Sequence, residues 1–469
     1  MKFIFLILFS ILNIGVVYSQ NIEEVLKIIP EFVEAENSIF RTPSITVGIV
    51  NTDSIIYLKN FGEGQIDDLH ILGSTSKSFT ALITLTLQQK GLIDINNPVN
   101  DYLPWFKYKN SQQSELVTVK NLLNHTSGIP RKFGINEPKI GLDLQQFYSN
   151  QLEQIEIKNQ PEEIFEYSNI NYILLGFIIE EVSGKKYAEV FEKEIANSLQ
   201  LNKSFASLKE TQQNNLMQSF QHLLYFPVIQ KKVTFNDCIV TSGFTSTTAI
   251  DMGKYLKELM NSYNQNTNSA ISPTITRQLF QPRTDIGSQY GMGWVIENWM
   301  GNLLFDHSGS TQSFSSYMFI LPEKNIAGII LANTGVSPAT RIGGKILRSL
   351  TNNEIIEYSN TRFYLGHALP LASIIAVIFL LQQFIRWSRL KFPIGVGKKL
   401  KNNILLLLGI VISLFWLIGV PVLFSVSLST AVDYNPSVGY SLIVLAIVTL
   451  LITMIRYFIK TKDALPNNV

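Results

Sequence analysis

Gly73-Ser74-Thr75-Ser76-Lys77-Ser78-Phe79-Thr80-Ala81 is the stretch on which the reading of this chain turns. Ser74 and Lys77 form a Ser-x-x-Lys motif, and residues three apart on a helix share a face, so the amine can reach the hydroxyl. Apolar Phe79, Leu82, Ile83 and Leu87 follow at helical spacing, which predicts a helix from about Ser74 to Lys90. A serine hydroxyl is a weak nucleophile until a base takes its proton. Lysine becomes that base only where burial or nearby positive charge lowers its pKa. Bringing it from about 10.4 to neutrality costs about 4 kcal/mol, which a dry cleft between two lobes can supply. Spacing alone decides little, because Ser183/Lys186 and Ser388/Lys391 repeat it. The latter pair lies in a basic loop and reads as a solvated face, the former as a helix end and turn. Ser74 is set apart by Gly73 before it, the helix starting at it and the apolar helix body behind it. A helix start also places backbone N–H groups where an oxyanion would form.

Outward from this motif, residues 44–50 and 54–59 read as strands joined by the turn Asn51-Thr52-Asp53. Residues 91–260 read as helical segments broken by loops. Strand-like runs return at 292–297, 302–306, 313–321 and 326–333, and a helix follows at 338–350. Strands at both ends of the region around a helical insert predict an α/β two-lobe body: one sheet closed by terminal helices, plus a helical lobe. A cleft is expected at the lobe boundary.

Partners for Ser74 should lie across that cleft. Tyr167-Ser168-Asn169 offers a phenol and an amide and opens directly into the apolar run Ile170–Gly176. Tyr148 carries the same Tyr-x-Asn spacing and is the runner-up. His307-Ser308-Gly309 follows the strand at 302–306, and a small residue at a strand end lets backbone approach a ligand closely. Whether His307 is functional or structural stays open at this point; His125 reads as structural. No Gly-x-Ser-x-Gly elbow is present, which disfavours an α/β-hydrolase.

Charged residues make up only 16% of the 469, against about 25% in ordinary soluble domains. The mean hydropathy is +0.17. These values argue against a cytosolic globule and against a disordered or nucleic-acid-binding chain. The single cysteine, Cys238, excludes an intrachain disulfide and a cysteine-based metal cluster, and no His-Glu-x-x-His occurs, so no cofactor or metal is expected. Met1-Lys2 precedes a short apolar run ending in Val17-Tyr18-Ser19, which predicts a signal peptide over residues 1–19. Residues 363–385, 404–428 and 434–455 are free of charge and long enough to cross a bilayer. Between the first two lie Arg386, Arg389, Lys391, Lys398, Lys399 and Lys401 without an acid, and Arg456, Lys460 and Lys462 follow the third. The positive-inside rule places these cytoplasmic, and residues 20–362 on the opposite side. The expectation is a multi-pass membrane protein with residues 363–469 as its membrane domain, the lipid bilayer as partner and the C-terminus cytoplasmic.

Five segments stand in a telling order. They are Gly73–Ala81, Leu122-Leu123-Asn124-His125-Thr126-Ser127-Gly128-Ile129-Pro130, Tyr167-Ser168-Asn169-Ile170-Asn171-Tyr172, Gly291-Met292-Gly293-Trp294 and His307-Ser308-Gly309. In this order the chain resembles the serine β-lactamase and penicillin-binding-protein-like hydrolases, in the branch related to class C β-lactamases and D-Ala-D-Ala carboxypeptidases. The resemblance spans roughly residues 40–350 and implies an antiparallel sheet with flanking helices. It implies that Ser74 is acylated, Lys77 is its base partner and Tyr167 relays a proton with the leaving group. Asn169 would bind the substrate amide, and His307 with Gly309 would occupy the third-motif position. Backbone N–H groups of Ser74 and Ser310 would form the oxyanion hole. His-Ser-Gly stands here in place of the Lys-Thr-Gly of class A β-lactamases and penicillin-binding proteins, and Ser198-Leu199-Gln200-Leu201 departs from the usual Pro-Leu-Gly-Met.

The leading expectation is a membrane-anchored serine hydrolase. It would act through an acyl-enzyme on an amide or ester, a small-molecule or peptide substrate of the cell envelope containing a D-amino acid. The alternative is a penicillin-binding or sensor-type receptor that acylates slowly without turnover. A third reading is a pseudoenzyme that only binds peptides.

Overall fold

In the computed structural model, residues 22–351 are described except for 135–137, 139, 140, 158, 224, 225, 267, 268 and 337; further on, 361–388, 399–423, 427, 428, 431, 432 and 435–460 are described. The expected signal peptide over residues 1–19 lies outside the described residues.

The strands are β1 (Ser44–Val50), β2 (Ile55–Gly62), β3 (His70–Ile71), β4 (Ser219–Leu223), β5 (Phe226–Lys231), β6 (Ser246–Thr247), β7 (Val295–Trp299), β8 (Asn302–Ser310), β9 (Ser315–Leu321) and β10 (Ile326–Ala332). Six of them form one antiparallel sheet in the order β2-β1-β10-β9-β8-β7. Successive side chains on a strand point to opposite faces, and the two hydrophobic cores record this. Ile45, Val47 and Ile49 of β1 and Ile330 and Ala332 of β10 face one side, while Ile329 and Leu331 face the other. Every residue of β1, β9 and β10 is buried, which is why these strands read as continuous apolar runs.

One face is covered by the terminal helices α1 (Ile22–Phe40) and α5 (Ala339–Leu350). Val25, Ile29 and Val33 of α1 and Ile342 and Ile346 of α5 pack on the sheet. Buried Glu36 ties the two together, 2.5 Å from Arg341 Nε and 2.8 Å from Lys345 Nζ. The other face carries α4 (Ala249–Tyr263) and, beyond it, the helical lobe containing α2 (Lys77–Gln89) and α3 (Asn169–Ser183). The chain thus has the expected sheet, flanking helices and helical lobe.

The structure redraws three boundaries. Residues 73–76 form a 3₁₀ turn before α2 begins at Lys77, so the helix proper starts three residues later than the apolar spacing suggests. Strand β8 continues to Ser310, because pairing with β9 extends to Ser310↔Ser315; His307 is therefore within a strand rather than after it. The stretch expected to be helical contains the antiparallel pair β4–β5, in which Ser219 pairs with Lys231 and Leu223 with Phe226.

Toward the C-terminus, α6 (Thr361–Ser388), α7 (Lys399–Leu414) and α8 (Pro436–Lys460) follow. Three segments, Ala368–Ile385, Leu406–Leu423 and Pro436–Ile455, are long and apolar enough to cross a membrane. Large apolar side chains such as Leu371, Ile375, Leu407 and Val422 are exposed along them, as expected of surfaces that meet lipid rather than water.

Candidate active site

From Leu69 to Leu85 every residue is buried except Ser74, which is half-buried at the floor of a cleft between the sheet and the helical lobe. The 3₁₀ turn that presents it is braced on all sides. Leu72 O accepts from Thr75 Oγ1 at 3.0 Å and from Ser316 Oγ at 2.6 Å, and Leu72 N donates to Thr245 O at 3.0 Å. Thr245 N donates in turn to Ser76 Oγ at 3.2 Å.

Lys77 is the first residue of α2, so its side chain leans back toward the turn that holds Ser74. Its Nζ lies 3.2 Å from Ser74 Oγ, 2.8 Å from Asn169 Oδ1 and 2.5 Å from Ser242 O. The side chain is fully buried, and this desolvation pushes the amine well below the ordinary lysine value of 10.5. The neutral amine has two N–H groups and one lone pair. Asn169 Oδ1 and Ser242 O can only accept, so the lone pair is left for the proton of Ser74.

Tyr167 stands on the other side of the nucleophile. Its phenol oxygen is buried and has no hydrogen-bond partner among the described residues; burial raises its pKa, and the nearby Ser74 partly offsets that rise. The face of its ring lies 4.9 Å from Lys77 Nζ. Burial therefore separates the two groups in opposite directions: the lysine stays an amine and the tyrosine stays a phenol. Asn169 opens α3 and lines the cleft. Tyr148, the runner-up, is instead buried in the helical lobe against Phe177 and has no place in the cleft lining.

On the sheet side, β8 supplies His307, Gly309 and Ser310 to the cleft wall. Burial lowers the His307 pKa to about 4. The ring is thus neutral at physiological pH: Nδ1–H donates to Ser308 O at 2.7 Å, and Nε2 accepts from Tyr290 Oη at 3.1 Å. Two glycines let β8 press against the nucleophile turn. Gly73 has φ +65°, and a Cβ on it would lie 2.3 Å from Ser310 N; a Cβ on Gly309 would lie 2.0 Å from Leu72 O. The Ser310 N–H is thereby brought against the peptide that precedes Ser74.

Sequence reasoning had not singled out Tyr290 or Arg131. Tyr290 immediately precedes Gly291-Met292-Gly293-Trp294, the one signal that pointed to it. Among the described residues Arg131 is the one charged side chain lining the cleft, just after the turn ending in Pro130, and nothing in its neighbourhood announces a role. His125 is fully buried among Tyr167, Tyr172 and Tyr290 and accepts from Ser168 N through Nδ1 at 3.3 Å, which fixes the tyrosine loop.

A serine facing a desolvated lysine, between an antiparallel sheet and a helical lobe, is the arrangement of the serine acyl-transferases and hydrolases with a Ser-x-x-Lys motif. The family model described as Beta-lactamase matches residues 30–352, and the chain belongs to that family. It is 26% identical over 359 residues to Protein flp of Staphylococcus aureus (strain MW2), covering 72% of this chain and 68% of that protein. It is 27% identical over 331 residues to Penicillin-binding protein 4* of Bacillus subtilis (strain 168), covering 61% of this chain and 67% of that one. Among solved structures, the octameric penicillin-binding protein homologue from Pyrococcus abyssi aligns with a TM-score of 0.61 at 23% identity, over 75% of this chain and 81% of the other. A D-stereospecific amidohydrolase from Streptomyces sp. aligns with a TM-score of 0.56 at 19% identity, over 69% and 97%. These two likenesses are of fold.

Proposed function

We propose that the protein is a membrane-anchored serine hydrolase that cleaves an amide or ester of the cell envelope through an acyl-enzyme on Ser74. The observation that carries this reading is the 3.2 Å approach to Ser74 Oγ of a fully buried Lys77 amine, whose pKa that burial pushes well below the ordinary lysine value. In the first step Lys77 takes the Ser74 proton as Oγ bonds to the substrate carbonyl carbon. The developing oxyanion is held by the backbone N–H groups of Ser74 and Ser310. Collapse breaks the bond to the leaving group, which receives a proton through Tyr167, a phenol kept protonated by burial. Water then attacks the acyl carbon, its proton returns to Oγ through the same groups, and the acid is released. Asn169 orients both the Lys77 amine and the substrate amide. With His307 neutral, Arg131 is the cation available to an acidic group on the substrate.

The D-stereospecific amidohydrolase and the penicillin-binding relatives support a substrate built on D-amino acids. His-Ser-Gly in place of a fixed lysine favours a carboxypeptidase- or esterase-type activity over efficient β-lactam hydrolysis. The basic residues around the apolar helices support an extracytoplasmic body with a cytoplasmic C-terminus.

The test is labelling of the full-length protein with a small fluorophosphonate. Ser74 takes the label in the wild type, and Ser74→Ala takes none; equal labelling of both sinks the assignment. Labelling of Ser74 combined with a single turnover on small esters would identify a slowly acylating receptor instead.

A further inference from the structure

The cleft holds about 830 Å³, and one part of its wall does not come from the family domain at all. Ala431, Asn435 and Val438 line it together with Ser74, Tyr167 and His307. Asn435 immediately precedes α8 and Val438 lies in its first turn. Asn435 N donates to Ala431 O and Gly439 N to Asn435 O, both at 2.9 Å, which ties Ala431 to the start of that helix. The apolar stretch able to cross a membrane begins at Pro436, so Val438 already belongs to it. The wall of the cleft therefore includes the first turn of the last apolar helix.

The helix is held in that position by the body. Buried Ser437 donates through Oγ to His222 O at 3.2 Å, and His222 Nε2 lies 2.7 Å from Phe40 O, at the end of α1. His222 belongs to β4, so the β4–β5 pair is the strut between body and span. The pair also carries Phe226, which is half exposed beneath the Arg41 guanidinium at 4.8 Å. An exposed aromatic beside a cation suits the boundary between water and lipid headgroups. A soluble substrate has no need of a cleft sealed on one side by a membrane span.

We propose that the substrate is a bilayer-resident amphiphile: its polar acyl ester or amide reaches Ser74 past Ala431, Asn435 and Val438, while its hydrocarbon tail stays among the lipids. This rests on the serine hydrolase reading and adds the class of molecule on which the site acts. The reaction is unchanged: the acyl group passes to Ser74 and then to water, and the lipid-bearing fragment leaves as the alcohol or amine.

The experiment uses the full-length protein in phosphatidylcholine–phosphatidylglycerol vesicles and two fluorophosphonates, one with an ethyl chain and one with a hexadecyl chain. The readout is the ratio of their labelling rates at Ser74. Val438→Trp obstructs the lipid side of the wall, and the ratio of hexadecyl to ethyl labelling is expected to fall at least tenfold. Ala431→Leu, a milder change on the same wall, is expected to lower the ratio about threefold and decides the matter if the tryptophan variant does not fold. A ratio that is unchanged in the folded variants overturns the proposal while leaving the hydrolase reading intact. Failure of the ethyl probe to label wild-type Ser74 refutes the hydrolase reading itself, and this proposal with it.

Discussion

Replacing Gly309 with alanine tests the close approach on which the proposed oxyanion hole rests. The added Cβ would stand 2.0 Å from Leu72 O and 2.6 Å from Ser316 Oγ, whereas ordinary contact begins near 3.4 Å. Leu72 cannot yield, since its carbonyl is held by two hydroxyls and its N–H by Thr245. Strand β8 must therefore retreat by about 1.4 Å, the difference between 2.0 and 3.4 Å. Ser310 is the next residue and retreats with it. An oxyanion donor works at about 2.7–3.1 Å, and a displacement of this size takes it out of range. Loss of one such donor costs about 10²–10³ in rate, or about 2.7–4 kcal/mol. The assay is the pre-steady-state acylation rate of Ser74 with a small chromogenic ester, with thermal melting run alongside to show that the variant folds. Acylation within about threefold of wild type would refute the reasoning, because the Ser310 N–H would then have no part in stabilising the transition state.

Two further outcomes follow from the same structure. In the proposed mechanism Lys77 acts as a base only when uncharged, so the acylation rate should fall as acid protonates it and rise to a plateau above its lowered pKa. The acid limb should lie well below the ordinary lysine value of 10.5, and Lys77→Met should remove the limb together with about 10²–10⁴ of the rate; a pH–rate profile of both proteins decides this. Gln200 adopts φ +55°, a backbone conformation that favours glycine, so Gln200→Gly should raise stability by up to about 1 kcal/mol, read as an increase in the urea midpoint at unchanged slope.

The parts of this protein that were legible in the sequence are those encoded by neighbours along the chain. Ser74 and Lys77 are three residues apart, and the apolar runs of β1, β9 and β10 announce strands buried on both faces. The Asn51 turn likewise shows itself, with Asn51 Oδ1 accepting from Asp53 N at 2.9 Å and Ser54 N at 2.8 Å. What depends on distant partners was not legible. Strand β8 runs on through His307 because β9 supplies the hydrogen bonds, and the polar residues there carry no strand signal of their own. The neutral state of His307 depends on Tyr290 and on burial, neither of which composition reports. The place of Asn435 and Val438 in the cleft follows from how the last span docks, and within an apolar helix they look like any other residue.

The sheet order also governs when this protein can first exist as a folded body. Strand β1 sits between β2 and β10, and its pairing Ile45↔Ala332 joins opposite ends of the domain. During synthesis β1 and β2 can do no more than wait as a hairpin, since contacts so distant in sequence form late and slowly. Ala332 emerges only shortly before Thr361, where the first apolar helix begins. With the proposed membrane anchoring, closure of the sheet and entry of the first apolar helix into the bilayer fall in the same short interval of the protein's biogenesis. The cleft is completed later still, when the last span arrives, so a truncated chain lacking it would hold a folded nucleophile in an unfinished site.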